Sequence, residues 1–179
     1  LPASLRGNVR SEQVVPQDVT STILGAAGVA QPDAMQGRDM APLMHGDATD
    51  WREAVFCENN MTIQDYPRAE ALRSREWKYI RYFPRHVDPS SDKPWQNHGE
   101  DYNTTVDLSL QGEPPIHEEL FRLADDPDVR INLAGDAAHA STLLSMRGHC
   151  DTLLREARGD AHDQPHHRSG YSPRAVVQG

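Results

Sequence analysis

The sequence predicts an α+β protein, in which a small four-stranded antiparallel sheet packs against one long C-terminal helix. Two β-type segments, residues 69–74 and 77–83, are joined by a short polar link, which is the pattern of a tight hairpin. Residues 54–59 and 120–123 supply two further strands. A long stretch with helical periodicity follows them. Together these segments favour the α+β class.

The second strand of the hairpin is expected to lie in the middle of the sheet, because both of its faces carry apolar surface. One face reads Trp77, Tyr79, Arg81 and Phe83, and the other reads Lys78, Ile80 and Tyr82. We expect the charged tips of Lys78 and Arg81 to reach out to solvent.

Three helical segments are predicted around this sheet. Asp18 is a suitable N-cap for a first helix that Gly28 stops. A short helical turn covers residues 40–44. The long helix begins at Asp136 and ends at Gly159. Its apolar stripe has spacings of three and four residues and consists of Leu143, Met146, Cys150, Leu153 and Ala157.

Composition excludes several classes of function. The formal net charge of −9 argues against nucleic-acid binding, which normally requires a basic face. No apolar run approaches the roughly 18 residues of a membrane span. The 2 cysteines cannot define a disulfide framework or a zinc site, and the compartment stays open.

Residues 84–115 form a long polar segment of the kind that is functional or disordered, and residues 160–179 are expected to be disordered.

Five segments in order carry a resemblance to a known family. They are residues 18–29, 35–46, 69–83, 119–127 and 132–134. In this order they resemble the C-terminal part of type I sulfatases, the arylsulfatase-like enzymes, from about Val14 to about Arg158. The resemblance implies that residues 1–48 are the C-terminal remnant of a sulfatase catalytic domain, including the last helix of its α/β fold. Residues 49–159 would then be the sulfatase C-terminal domain, and residues 160–179 a disordered tail.

The resemblance also implies machinery that this sequence does not carry. These sulfatases convert the first residue of a Cys-x-Pro-Ser-Arg or Ser-x-Pro-Ser-Arg segment to formylglycine, and they bind a divalent cation, usually calcium. Neither Cys57 nor Cys150 stands in such a segment, and none of the nine histidines has zinc-site spacing. We therefore expect no cofactor in this chain, and formylglycine and calcium in a parent enzyme. We expect the chain alone to be inactive, and a start at Leu1 suits a truncated chain.

The partners implied are a catalytic N-terminal sulfatase domain and a sulfated sugar substrate. In sulfatases that act on sugars, the matching strand end faces the active-site mouth, so Asn60 and Arg68 are candidate substrate-binding residues. Their side chains could donate hydrogen bonds to hydroxyl, carboxylate or sulfate groups. The structural alternative is that Asn60 closes a strand end and Arg68 pairs with Glu70.

Two functions from different classes follow from the sequence. The first is the C-terminal portion of a sulfuric-ester hydrolase, which contributes a wall of the substrate pocket. The alternative is a free-standing, non-catalytic module that binds a carbohydrate or a partner domain.

Overall fold

The computed structural model describes residues 7, 9–47, 50–59, 67–84 and 107–162, with side chains described as far as residue 158. The predicted α+β class is confirmed. The elements in chain order are α1 Pro16–Ala26, α2 Ala41–His45, β1 Ala54–Asn59, β2 Ala69–Ser74, β3 Trp77–Tyr82, β4 His117–Arg122, and, after a 3₁₀ turn at Ala137–His139, α3 Ala140–His162. Of the polar segment 84–115, residues 85–106 lie outside the described part, and residues 107–110 form a helical turn.

The sheet has the strand order β1-β2-β3-β4, and each neighbouring pair is antiparallel. Strand β3 therefore lies between β2 and β4, as its two apolar faces predicted. Strand β4 begins at His117, earlier than the predicted residue 120. Its two glutamates fit because Glu118 accepts a hydrogen bond from the Tyr79 hydroxyl at 2.5 Å and Glu119 accepts one from the Tyr82 hydroxyl at 3.0 Å.

The hydrophobic core lies between the sheet and α3. Each of the three strands β2 to β4 contributes one fully buried side chain, and the helix contributes its apolar stripe. The core side chains are Leu72, Tyr79, Leu120, Leu143, Met146 and Cys150, with Ala54 at the edge. The predicted stripe is confirmed at its first three positions, which are buried, and at Leu153, which is partly buried against the core. Leu154 is buried as well.

Helix α3 continues to His162, past the predicted end at Gly159. A glycine inside a helix costs about 1 kcal/mol relative to alanine and does not by itself stop the helix. Residues 163–179, most of the predicted tail, lie outside the described part of the chain. No described helix is both long enough and apolar enough to cross a bilayer.

Helix α1 begins at Pro16, two residues before the predicted N-cap Asp18. Val15 is the N-cap residue, Pro16 occupies the first helical position, and the Asp18 carboxylate accepts the Val15 N–H at 2.8 Å. Proline is favoured at this position because its missing N–H would be unpaired there in any case. The end of the helix is close to the prediction, since Gly28 has a φ of 68°, which is left-handed.

The inward side of α1 is polar and its outward side is apolar. Asp18 and Ser21 are buried, whereas Val19 is 51% exposed and Ile23 is 62% exposed. The segment after α1 packs closely on the helix at Gly37, where a Cβ atom would lie 2.3 Å from the Gln17 carbonyl oxygen. Within this chain, α1 is therefore held by polar contacts and presents its apolar residues outward.

Asp18 is the centre of those polar contacts. Its Oδ1 accepts the Arg38 N–H at 2.8 Å and the Arg52 Nη2–H at 2.8 Å, and Arg52 Nη1 donates to its other oxygen. Burial alone would raise the pKa of Asp18. Hydrogen bonds from Arg52 and from the backbone N–H groups of Arg38 and Val15 outweigh that effect and hold the pKa below its usual value.

Candidate functional site

One end of the sheet holds Arg68 and Asn59, the residue that precedes Asn60 in the sequence. The register pairs Ala69 with Asn59 on one side and with Tyr82 on the other, and Tyr82 pairs in turn with His117. Asn60 directly follows Asn59 in sequence, but it lies outside the described residues, so its substrate contact stays a prediction. Arg68 directly precedes Ala69 and belongs to the same end.

The Arg68 side chain is fully buried at this end of the sheet. Its Nη1 lies 3.4 Å from Glu70 Oε1 and donates to the Ser109 hydroxyl oxygen, and its Nη2 donates to Glu113. The guanidinium carbon lies 3.9 Å from the centroid of the Phe83 ring. The pairing with Glu70, which was the structural alternative for Arg68, is present. Contact between Arg68 and a substrate stays a prediction.

A second buried arginine stands beside the first. Arg81 and Glu70 are direct partners across strands β2 and β3, and Arg81 Nε donates to Glu70 Oε2 at 2.8 Å. Its Nη1 donates to Asp151 Oδ1 of α3 at 2.5 Å. The expectation that Arg81 reaches solvent is wrong, because Glu70 and Asp151 give the guanidinium charged acceptors on the core side of the sheet. Burial alone would lower the pKa of Arg81, but the neighbouring Cys150, Glu70 and Asp151 raise it above its usual value.

These contacts form one continuous set of charges, which we call the buried ionic chain. It consists of Glu113, Arg68, Glu70, Arg81 and Asp151 in that order, and the Ser109 hydroxyl donates to Glu70 at 2.5 Å. It joins the segment before β4 to β2, β3 and α3. Asp151, at the end of the set, is 42% exposed, and the other four charges are largely buried. Buried charges are tolerated when they are paired and hydrogen-bonded, as these are.

A cleft of about 290 Å³ opens beside the buried ionic chain, next to Arg81, Glu113 and Asp151. Glu118 also lines the cleft and accepts hydrogen bonds from the Tyr79 hydroxyl at 2.5 Å and from Arg147 Nε at 2.8 Å. The bond from Arg147 holds the pKa of Glu118 below its usual value. Burial, followed by the bond to Glu118, raises the pKa of Tyr79. Tyr79, Glu118 and Arg147, which line the cleft, are thus already paired with one another.

The described residues do not fit the metal or the nucleophile that the resemblance implies for a parent enzyme. Within residues 7, 9–47, 50–59, 67–84 and 107–162, no three or more His, Cys, Asp or Glu side chains come together to hold a metal ion. Both cysteines are free thiols, with Cys57 exposed and Cys150 buried. Burial raises the pKa of Cys150 to about 12, which disfavours a thiolate at neutral pH.

Sequence reasoning missed Ser109, Glu113 and Asp151 as members of this site. Ser109 and Glu113 are 41 and 45 residues from Arg68, and Asp151 is 70 residues from Arg81. The only local signal was the spacing of Arg68 and Glu70, which puts both side chains on one face of a strand.

Comparison with protein families gives a match over half of the chain. A family model described as N-sulphoglucosamine sulphohydrolase, C-terminal, matches residues 1–90. No curated protein gives a significant match.

Several solved structures share the fold. BT4656, solved in complex with its substrate D-glucosamine-2-N,6-O-disulfate, aligns with a TM-score of 0.58 at 17% identity, covering 83% of this chain. A putative sulfatase from Bacteroides thetaiotaomicron aligns with a TM-score of 0.53 at 20% identity, covering 82% of this chain. A phosphonate monoester hydrolase of Agrobacterium radiobacter aligns with a TM-score of 0.52 at 17% identity, covering 79% of this chain. The alignments span only 25%, 26% and 25% of those proteins, respectively.

Proposed function

Because the chain belongs to the family of N-sulphoglucosamine sulphohydrolase C-terminal regions, we propose that it is the C-terminal portion of a sulfuric-ester hydrolase that acts on a sulfated sugar. The observation that carries this proposal is the family match over residues 1–90, which includes β1, β2, β3 and the position of Arg68. The fold shared with BT4656 supports it, since that protein was solved with a sulfated glucosamine as its substrate.

The proposed partner is a catalytic N-terminal domain in the same polypeptide. Two observations support it: the alignments cover about a quarter of the sulfatase structures, and α1 presents Val19 and Ile23 outward. Apolar side chains exposed along one helix face are typical of a surface that another domain covers. In this proposal residues 1–48 end the catalytic domain and residues 49–159 form the C-terminal domain.

The proposed role of this chain is to form one wall of the substrate pocket. The end of the sheet defined by Asn59, Ala69, Tyr82 and His117 is the surface we assign to that wall. Asn60 and Arg68 are the two residues we assign to it. The Asn60 amide has two donors and an acceptor, a combination that suits sugar hydroxyl groups.

The chemical step is assigned to groups outside the described residues. In the proposed enzyme, formylglycine would supply the nucleophile and calcium would neutralise charge on the sulfate, both held by residues of the catalytic domain. The contribution we propose for this chain is orientation of the sugar. Orientation is a substantial part of catalysis, since a small displacement of the substrate can cost about a hundredfold in rate.

Sulfate release tests the proposal directly. The longer polypeptide that contains this sequence is expected to release sulfate from an N-sulfated or O-sulfated glucosamine in the presence of calcium, whereas the 179-residue chain alone is expected to release none. A longer polypeptide that releases no sulfate from either sugar, together with a 179-residue chain that binds the sugar by itself, would favour the free-standing binding module instead.

A further inference from the structure

We infer that Arg68 is a positioning residue, which shapes the proposed substrate wall by holding residues 107–115 against the end of the sheet. We call residues 107–115 the strap. The inference rests on the proposed function and adds two separate roles to it. The strap and its neighbours face the sugar, and Arg68 holds the strap in place from the side away from the sugar.

The strap is tied to β2 by side-chain contacts. Its own backbone hydrogen bonds close turns within it, from Gly112 N–H to Ser109 O at 3.1 Å and from Glu113 N–H to Leu108 O at 3.0 Å. Arg68 then donates to the Ser109 hydroxyl and to the Glu113 carboxylate, while the Ser109 hydroxyl donates to Glu70. Ser109 and Glu113, near the two ends of the strap, are thus both fixed to the strand that begins at Ala69.

The shape of the guanidinium group suits this task. Nη1 donates hydrogen bonds to Ser109 and Glu70, and Nη2 donates one to Glu113, so one planar group reaches acceptors in different directions. A lysine ammonium is a single point charge and cannot reproduce that fork. The face of the guanidinium lies against the Phe83 ring, at 3.9 Å from its centroid.

Burial separates this role from direct substrate contact. The Arg68 side chain has 0% of its surface exposed, and the Glu113 side chain has 10%. A sugar could reach the Arg68 guanidinium only if Glu113 or Ser109 gave up its place. Effects of Arg68 on a substrate are therefore expected to pass through the strap.

The strap and Asn59, the residue that precedes Asn60 in the sequence, border the same end of the sheet. Phe83 N–H bonds to Arg68 O at 3.0 Å, and Ile116, immediately after the strap, bonds to Tyr82 O at 2.8 Å. Ala69, next to Arg68, pairs with both Asn59 and Tyr82. A strap released from Arg68 would shift at the edge of the surface that we assign to the sugar.

The test compares Glu113→Gln and Arg68→Lys in the longer polypeptide, with Arg122→Ala as the control. Arg122 carries the same charge on β4 at the opposite end of the sheet, where it pairs with Glu76 in an exposed site. For each variant, KM and kcat are measured with a sulfated oligosaccharide and with a small aryl sulfate. Hydrogen exchange at the backbone amides of the strap is measured in the 179-residue chain.

We expect Glu113→Gln and Arg68→Lys to raise KM for the oligosaccharide by up to about a hundredfold and to leave kcat for the aryl sulfate within about twofold. Both variants should speed exchange at the Gly112 and Glu113 amides, and Arg122→Ala should change none of these values.

Three outcomes would overturn the inference. A higher oligosaccharide KM in Arg68→Lys with no change in Glu113→Gln would mean that Arg68 contacts the sugar itself. Equal losses on both substrates would mean a role in the fold alone. Unchanged strap exchange in both variants would mean that these contacts do not hold the strap. If instead the unmodified polypeptide cleaves neither substrate, it is the proposed function that fails, and the exchange measurement still tests the strap.

Discussion

The buried ionic chain makes a quantitative prediction about Glu70. Glu70 is 2% exposed and accepts hydrogen bonds from Arg81, Arg68 and Ser109. The substitution Glu70→Gln keeps the size of the side chain but removes its charge, and it points amide hydrogens at one of the guanidinium groups. Removing one partner of a buried ion pair costs roughly 3–5 kcal/mol of unfolding free energy. For a domain of this size, that corresponds to a fall in Tm of roughly 6–20 °C.

Thermal unfolding of Glu70→Gln, followed by circular dichroism, measures this cost, and Glu76→Gln is the matched control. Glu76 pairs with Arg122 at 3.2 Å, but the two side chains are 53% and 46% exposed. An exposed ion pair contributes about 0.2–1 kcal/mol, so the control should lower Tm by no more than about 4 °C. Equal, small shifts in the two variants would refute the claim that burial makes the Glu70 charge important.

Two further predictions concern the thiols and the outer face of α1. Cys57 should react with a thiol reagent in the native chain at pH 8, and Cys150 only on unfolding. Equal labelling of both thiols in the native chain would contradict this. Because burial raises the pKa of Cys150 from 9.0 to about 12, its contribution to the unfolding free energy should be complete below pH 9.0 and lost as pH rises towards 12, which denaturant unfolding at several pH values would measure. Ile23→Ser should change the unfolding free energy by no more than about 0.5 kcal/mol and should reduce self-association in gel filtration. Leu143→Ala in the core is the comparison and should lower the unfolding free energy by about 2–5 kcal/mol. A large loss of stability in Ile23→Ser would show that this face packs within the chain.

The sheet was predictable because its signals are local. The alternation in residues 69–74 and 77–83 and the short link between them specify a hairpin, and the stripe beginning at Leu143 specifies which side of α3 packs on it. The start of α1 was harder to predict. Asp18 acts from the third helical position, and the sequence alone does not distinguish that role from the role of N-cap residue that it predicts for Asp18.

The candidate site was less predictable, since its members meet only after folding. Arg81 faces Glu70 because of the register between β2 and β3, and it meets Asp151 because α3 crosses that side of the sheet. The residues next to Arg81 in the sequence indicate neither contact, and for that reason the sequence predicts a solvent position for its charged tip. The position of Arg68 at a strand end makes it a candidate from the sequence. Its side chain is buried because Ser109 and Glu113 of the strap, 41 and 45 residues later in the sequence, pack over it.

Asn60→Ala in the longer polypeptide tests whether the end of the sheet next to Asn59 forms a wall of a sugar pocket. A neutral hydrogen bond contributes about 0.5–1.5 kcal/mol, so loss of the amide should raise KM for a sulfated oligosaccharide about two- to tenfold. KM for a small aryl sulfate should not change, because that substrate carries no sugar for the Asn60 amide to contact.

Ser145→Ala, at an exposed position of α3, is the control and should alter neither substrate. If this end of the sheet forms the wall, Asn60→Ala should raise KM for the oligosaccharide alone. Unchanged kinetics with both substrates, or an equal loss with both, would contradict the assignment of this surface to the substrate.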